Sequence, residues 1–197
     1  MNRYNPNIHK RKSIRLKGYD YTQQGLYFVT ICVQNRECLF GHIKNEKMNL
    51  NNAGKMIEKW YYELENKFPN IKCGEHIVMP NHFHCIIHNV GADLRVCPNN
   101  TDDHNPNTGG EHNPNTGEHM GSPLHFVVQW FKTMTTNEYI RNVKSNNWQR
   151  FNGKLWQRNY WEHIIRNEKS FKNISNYIVN NPTKWYNDKL NTDSNNL

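Results

Sequence analysis

The order of apolar patterns along the chain predicts an α+β domain of ferredoxin-like type: an antiparallel sheet with helices packed on one face, plus a C-terminal helix. Three observations predict it. Apolar runs over 25–33, 73–79 and 82–90 have the composition of strands. Two segments, about 52–68 and from Pro123 onward, carry helical spacing between recognisable caps and stops. With a strand at 155–165 and a last helix at about 169–181, the order becomes β-α-β-β-α-β-α. Without its final helix, that order is the split β-α-β pattern of ferredoxin-like domains.

Each element follows from its own residues. Gly25-Leu-Tyr-Phe-Val-Thr-Ile-Cys-Val33 is continuously apolar and β-branched or aromatic, as a central strand buried on both faces requires. Asn51 and Asn52 are cap residues. After them Ile57, Tyr61, Leu64 and Phe68 recur at intervals of four, three and four, so they share one helical face that ends before Pro69. The runs 73–79 and 82–90 are separated by Pro80 and Asn81 alone, two turn residues, which predicts an antiparallel pair. Ser122-Pro123 reads as an N-cap followed by proline in the first turn, with Leu124, Val128, Phe131 and Thr135 on one side of the helix. The run 155–165 mixes aromatic and β-branched residues, interrupted by Arg158 and Asn159, and reads as the last strand. Phe171, Ile174 and Ile178 form the stripe of the final helix, which Pro182 stops.

A chain of 197 residues suits one domain with a real core rather than two. The expected organisation is a basic arm over 1–24, a domain over 25–187 and a polar tail over 188–197. The domain is interrupted at 91–121 by a low-complexity stretch of Asn, Asp, Gly, Pro and Thr, which predicts disorder. Within it His-Asn-Pro-Asn-Thr-Gly occurs at 104–109 and 112–117, too few and too polar to stack as a solenoid. The five cysteines contain no Cys-x-x-Cys pair, so neither a zinc ribbon nor a disulfide framework is indicated. Cys32 and Cys85 lie in apolar runs and read as small buried hydrophobes. No apolar stretch is long enough for a membrane span and no signal segment precedes the domain, so a cytoplasmic setting without a membrane partner is expected. A net charge of +8 and a pI near 9.2 suit a polyanionic partner, nucleic acid first, although a merely solvated basic surface accounts for the charge equally well.

Chemistry is concentrated in Met79-Pro-Asn-His-Phe-His-Cys-Ile-Ile-His88. Alternation on a strand sends Phe83, Cys85 and Ile87 to one face and His82, His84, Ile86 and His88 to the other. His82 and His84 are then close enough for both imidazoles to reach one divalent cation. By spacing alone, chance explains His-x-His better in a chain with eleven histidines. Tyr177 and Asn181, four apart on the last helix, share a face, so a phenol could stand beside an amide oxygen able to act as a third ligand. A phenol has a pKa near 10 and needs a nearby cation or base to become a good nucleophile at neutral pH. Core packing for Tyr177 and helix termination for Asn181 are the ordinary alternatives.

Three blocks together resemble the REP-associated tyrosine transposases, within the wider HUH single-tyrosine superfamily. They are Met79-Pro-Asn-His-Phe-His84, Leu155-Trp-Gln-Arg-Asn-Tyr-Trp-Glu-His-Ile-Ile-Arg166 and Tyr177-Ile-Val-Asn-Asn-Pro182, and the runs after Arg15 and Gly25 are similar too. The resemblance spans roughly residues 10–90 and 122–187. It implies a divalent cation, Mg2+ or Mn2+, held by His82, His84 and Asn181, with Tyr177 as nucleophile. A glutamine stands at the Asn181 position in related transposases. The implied reaction is cleavage of single-stranded DNA to a 5′-phosphotyrosine and a free 3′-hydroxyl, followed by rejoining to another strand. The implied partner is single-stranded DNA carrying palindromic hairpins, bound by a monomer or homodimer in the nucleoid. Lys10, Arg11, Lys12, Arg15, Lys132 and Arg158 are the expected DNA-binding residues. Trp130, Trp156, Tyr160 and Trp161 are either base-stacking platforms or core.

Two other readings compete. A silent hairpin-binding protein would keep the fold and the charge without the nucleophile's chemistry. A zinc hydrolase would use His82 and His84 with His88 or His76 and a metal-bound water.

Overall fold

The computed structural model describes residues 19, 21, 24–90 and 123–191. The basic arm with Lys10, Arg11, Lys12 and Arg15, the 91–121 insertion, the Ser122 cap and the end of the tail lie outside the described residues.

Four strands form the main sheet: β1 (Gly25–Cys32), β4 (Ile71–Met79), β5 (His82–Asn89) and β6 (Trp161–Ile165). Their order is β4-β5-β1-β6 and every neighbouring pair is antiparallel. That is the ferredoxin-like arrangement expected from the sequence. Helices α1 (Asn52–Lys67) and α2 (Pro123–Ser145) carry the crossovers and α3 (Glu168–Val179) follows the last strand. A short 3-10 helix, Pro182–Asn187, closes the described chain. The Asn51 side chain caps α1, accepting from the Gly54 amide at 2.9 Å, and Asn167 does the same for α3 from the Ser170 amide at 2.8 Å.

The two faces of the sheet differ in what covers them. Tyr27, Val29, Ile31, Phe83, Cys85 and Ile87 pack with α1 and α2 residues such as Ile57, Tyr61, Leu64, Val128 and Phe131 in the main core. The opposite face is smaller. There Ile86, Leu26, Phe28, Ile77 and Ile165 receive Phe171, Ile174 and Ile178, the predicted stripe of α3. Cys32 and Cys85 are buried free thiols, as expected.

Two features depart from the sequence reading. A two-stranded hairpin, β2 (Gly41–Lys44) with β3 (Lys47–Leu50), precedes α1 and was not predicted. Its turn residues Asn45 and Glu46 both have positive φ, 51° and 58°; the usual signal for such a turn is Asn-Gly, and glutamate hides it. The last strand is shorter than the predicted 155–165. From Leu155 to Tyr160 the chain crosses beside α2, tied to the end of β1 by a bridge between Val33 and Trp156. The Trp156 indole donates to Thr135 Oγ1 at 2.9 Å, and Lys132 Nζ donates to the carbonyls of Gln157 and Arg158 at 2.6 and 3.0 Å. Carbonyls held by a lysine cannot extend a ladder. The additional C-terminal helix, α3, lies on the face opposite α1 and α2.

β4 carries a register shift between Cys73 and His76 against β5. Gly74 sits inside it, where a Cβ would come within 3.1 Å of the Ile86 Cβ and carbonyl oxygen. Into this irregularity Tyr61 sends its hydroxyl, donating to the Ile86 carbonyl at 2.6 Å with the Gly74 carbonyl 3.2 Å away. Tyr61→Phe leaves these buried carbonyls short of a donor and is expected to cost about 1–3 kcal/mol in urea unfolding, without loss of the fold. An unchanged midpoint would show that the irregularity needs no such plug.

Candidate active site

The strand register builds the site. On the α3 face His84 lies opposite Thr30 of β1, and His82 opposite Cys32. Both histidines are fully buried, at 0% and 2% exposure, and their ring centroids are 4.5 Å apart. Each ring has one nitrogen engaged by the protein: His82 Nδ1 with Asn81 Oδ1 at 2.8 Å, and His84 Nδ1 with Thr30 Oγ1 at 2.8 Å. Burial drives both away from the charged form, His84 down to about 3 and His82 well below the ordinary range. For His82, the neighbouring His84 and Arg36 act in the same direction. Two neutral imidazoles therefore present their Nε2 atoms to a common space.

Helix α3 and the turn after it bring the other two predicted residues there. The Tyr177 hydroxyl lies 3.4 Å from His84 Nε2, a long contact, and its ring packs edge-on against Phe28 and His84. Asn181, buried at 1% exposure, stands beside both His82 and the phenol. Its Oδ1 and His82 Nε2 are both buried without a hydrogen-bond partner. With its proton on Nδ1, His82 offers only a lone pair at Nε2, and an amide oxygen offers the same. Two acceptors cannot bond to each other; a cation or proton between them satisfies both, and burial opposes the proton. This pair of orphaned lone pairs, with His84 Nε2 beside it, fits a divalent cation with two nitrogen ligands and one oxygen ligand.

Tyr177 itself is 41% exposed, so the site is open on the phenol side. Its pKa is raised, first by burial and then by the Asp188 carboxylate, while the contact with Asn181 lowers it. Beside it opens a pocket of about 500 Å³ lined by Phe28, His163, Asn167, Lys169, Asn173 and Ile174. Trp161, 67% exposed, belongs to the same cross-strand row as Thr30 and His84. Of the four aromatics considered for stacking, it alone is exposed. Trp156 and Tyr160 are buried, and Trp130 packs against Trp60 and Phe68.

A second cleft, about 850 Å³, runs between α2 and the 151–160 segment and includes Lys132, Lys154 and Arg158. Lys132 spends two of its donors on backbone carbonyls, and burial followed by the Lys154 charge brings its pKa down to about 8. The predicted phosphate contact is thus also a structural cross-link.

Among the described residues, no three His, Cys, Asp or Glu side chains gather as a metal cluster. His76 pairs with Cys85 on the α1 face, against Tyr61 and Phe83, so it cannot join His82 and His84. The three-histidine zinc set is not assembled. Sequence reasoning missed Thr30, Asn81, Arg36 and Asp188, because their partnership with the site arises from strand pairing and loop return. The turn character of Pro80-Asn81 was legible; its side-chain role was not.

The fold and site together define a ferredoxin-like domain with a two-histidine strand and a helical tyrosine, and the chain is similar to REP-associated tyrosine transposases. No protein-family model matches it. It belongs to one family with an uncharacterized protein of Haemophilus influenzae, 39% identical over 194 residues that cover 97% of this chain and 98% of that protein. A "Putative REP-associated tyrosine transposase" of the same organism is 24% identical over 168 residues, 84% of this chain and 74% of that one. The chain is also similar to a solved REP-associated tyrosine transposase bound to a REP hairpin, at 19% identity and a TM-score of 0.47, over 88% of this chain and 74% of that chain. Among the described residues no helix is long and apolar enough to cross a membrane.

Two stability outcomes follow from these environments. Tyr177→Phe removes a half-exposed hydroxyl whose contact with His84 is long, so unfolding free energy should change by less than about 0.5 kcal/mol; a larger loss would make the phenol a structural anchor. Lys132 has a folded pKa of about 8, below its ordinary 10.5, so between those values the unfolded chain holds the extra proton. Stability relative to Lys132→Met should therefore rise with pH across that window and be flat below it, read from urea midpoints at matched pH.

Proposed function

We propose that the chain is a transposase-like enzyme that cleaves and rejoins single-stranded DNA through Tyr177. The observation that supports this best is the convergence of the buried, partnerless His82 Nε2 and Asn181 Oδ1 with His84 Nε2 directly beside the Tyr177 hydroxyl. His82, His84 and Asn181 would hold a divalent cation, Mg2+ or Mn2+, which supplies charge stabilisation at the scissile phosphate and favours the ionised phenol. The chain's own residues do the rest. Phe28 and His84 pack edge-on against the phenol ring and limit its rotation, which keeps its oxygen beside His84 Nε2. The Tyr177 oxygen attacks phosphorus as its proton passes to solvent on the exposed side of the phenol. The P–O3′ bond breaks, the departing 3′-oxygen takes a proton, and the phosphate remains on tyrosine as a 5′-linked ester. Attack by another strand's 3′-hydroxyl reverses these steps. One phosphoester replaces another throughout, so no nucleotide cofactor is needed.

The DNA would approach over the open side of the phenol, across the pocket at Phe28, His163 and Lys169, with exposed Trp161 at the sheet edge available to stack a base. Arg158 and Lys154 in the neighbouring cleft, with Lys10, Arg11, Lys12 and Arg15 of the basic arm, would contact phosphates. Single-stranded DNA with palindromic hairpins is the proposed substrate, in keeping with the hairpin-bound relative. A silent hairpin binder would need neither the phenol nor its partnerless ligands.

The test is incubation of the protein with single-stranded DNA from the flanks of its own gene, with Mn2+ or with EDTA, on a denaturing gel. A covalent protein–DNA band that needs the metal and is lost in Tyr177→Phe is expected. Binding without any covalent band in wild type would move the reading to the silent binder, and cleavage surviving Tyr177→Phe would replace the phenol by water. In parallel, Mn2+ at about 100 times its dissociation constant should stabilise wild type by about 2.7 kcal/mol, an effect absent in the His82→Ala, His84→Ala double variant.

A further inference from the structure

We propose that Asn81 is a positioning residue that holds His82 with its Nε2 lone pair toward Asn181, and couples that orientation to the Arg36 turn and the C-terminal segment. The proposal rests on the metal-holding role of His82 argued above for its functional consequence, but not for its geometry.

Asn81 is buried, at 1% exposure, in the two-residue turn between β4 and β5. Its side chain makes three directed bonds. Nδ2 donates to the carbonyl of Arg36 at 3.1 Å and to that of Leu190 at 2.8 Å. Both are acceptors only, so the amide nitrogen must face them, and Oδ1 must face His82. A carbonyl oxygen 2.8 Å from His82 Nδ1 can only accept, which puts the ring proton on Nδ1 and leaves Nε2 as a lone pair. The amide orientation and the histidine tautomer are thus decided by two backbone carbonyls remote in sequence. An alanine here would release all three constraints.

The same side chain ties down both segments that border the ligand. The turn after β1 carries Asn35 and Arg36 at positive φ, 57° and 56°, and the Arg36 guanidinium donates to the Lys189 carbonyl at 2.7 Å. Leu190 in turn is held by its amide, which donates to Asp188 Oδ1 at 2.8 Å. Turn, tail and ligand therefore meet at one amide. The backbone of Asn81 adds to this, its carbonyl accepting from the Val33 amide at 2.9 Å. Partners of this kind around a metal-ligating histidine are worth 10–100-fold in metal affinity.

The experiment uses the full chain without metal and reads the His82 ring nitrogens by long-range 1H–15N correlation at neutral pH, then measures Mn2+ affinity by calorimetry. Wild type should show His82 protonated at Nδ1 alone. Asn81→Ala should show a mixed tautomer and about 10–100-fold weaker Mn2+ binding. Asn81→Asp keeps the acceptor and removes the donors, so it should retain the Nδ1–H form while amide exchange around Leu190 accelerates; it also serves if Asn81→Ala fails to fold. Wild-type His82 protonated at Nε2, or an unchanged tautomer in Asn81→Ala, overturns the proposal. If wild type binds no Mn2+ but the tautomer shifts as expected, the positioning role stands and the metal-holding reading fails.

Discussion

Both ring nitrogens of a buried histidine have to be accounted for, and β5 buries two histidines side by side. Asn81 and Thr30 take the Nδ1 atoms, so His82 and His84 are left with Nε2 atoms facing a shared space. Burial keeps both rings uncharged at neutral pH, and for His82, whose Nδ1 faces an acceptor, this leaves Nε2 as a lone pair. A core strand built only for stability would not carry this arrangement, because each unsatisfied polar atom away from water costs free energy. The proposed cation would offset that cost.

The sheet separates stability from chemistry by its two faces. The α1/α2 face holds the large core with Tyr27, Phe83 and Phe131, and the polar intrusions there, such as the Tyr61 hydroxyl, are matched to carbonyls of the β4 irregularity. The α3 face holds a small apolar cluster that seats the helix through Ile174 and Ile178. Seating α3 this way lays Tyr177 over His84 while leaving one side of the phenol open. Since Ile178 adjoins Tyr177 and precedes Asn181 by three residues, the packing of one apolar side chain locates both polar ones.

Electrostatics around the site is asymmetric. Arg36 lies on the His82 side, where it further disfavours protonation, and Asp188 lies on the side of the phenol, where it disfavours ionisation. In this state Tyr177 is a protonated, unreactive phenol. Positive charge placed among His82, His84 and Asn181 would oppose that preference, which is how the proposed cation and the proposed nucleophile would be coupled through field as well as distance. The basic residues Lys132, Lys154 and Arg158 line the second cleft, between α2 and the segment that leads into β6.

Much of this was legible in the chain. Alternation in Met79–His88 assigned the faces of β5, the stripe Phe171, Ile174, Ile178 assigned the buried side of α3, and the four-residue step from Tyr177 to Asn181 placed them together. The hairpin at 41–50 was not legible, since Glu46 adopts a positive φ that its residue type does not advertise. The strand at the end of the chain was overextended, since aromatic and β-branched residues at Leu155–Tyr160 are there to fill the core under α2 and not to pair. Sequence by itself determined the periodic elements and the residue types of the site, because periodicity and propensity act over a few neighbouring residues. The tautomer of His82, the partners Asn81 and Thr30, and the side of the sheet that α3 covers were decided only by tertiary structure, because each depends on groups far apart in the chain, such as Asn81 and Leu190 at a separation of 109.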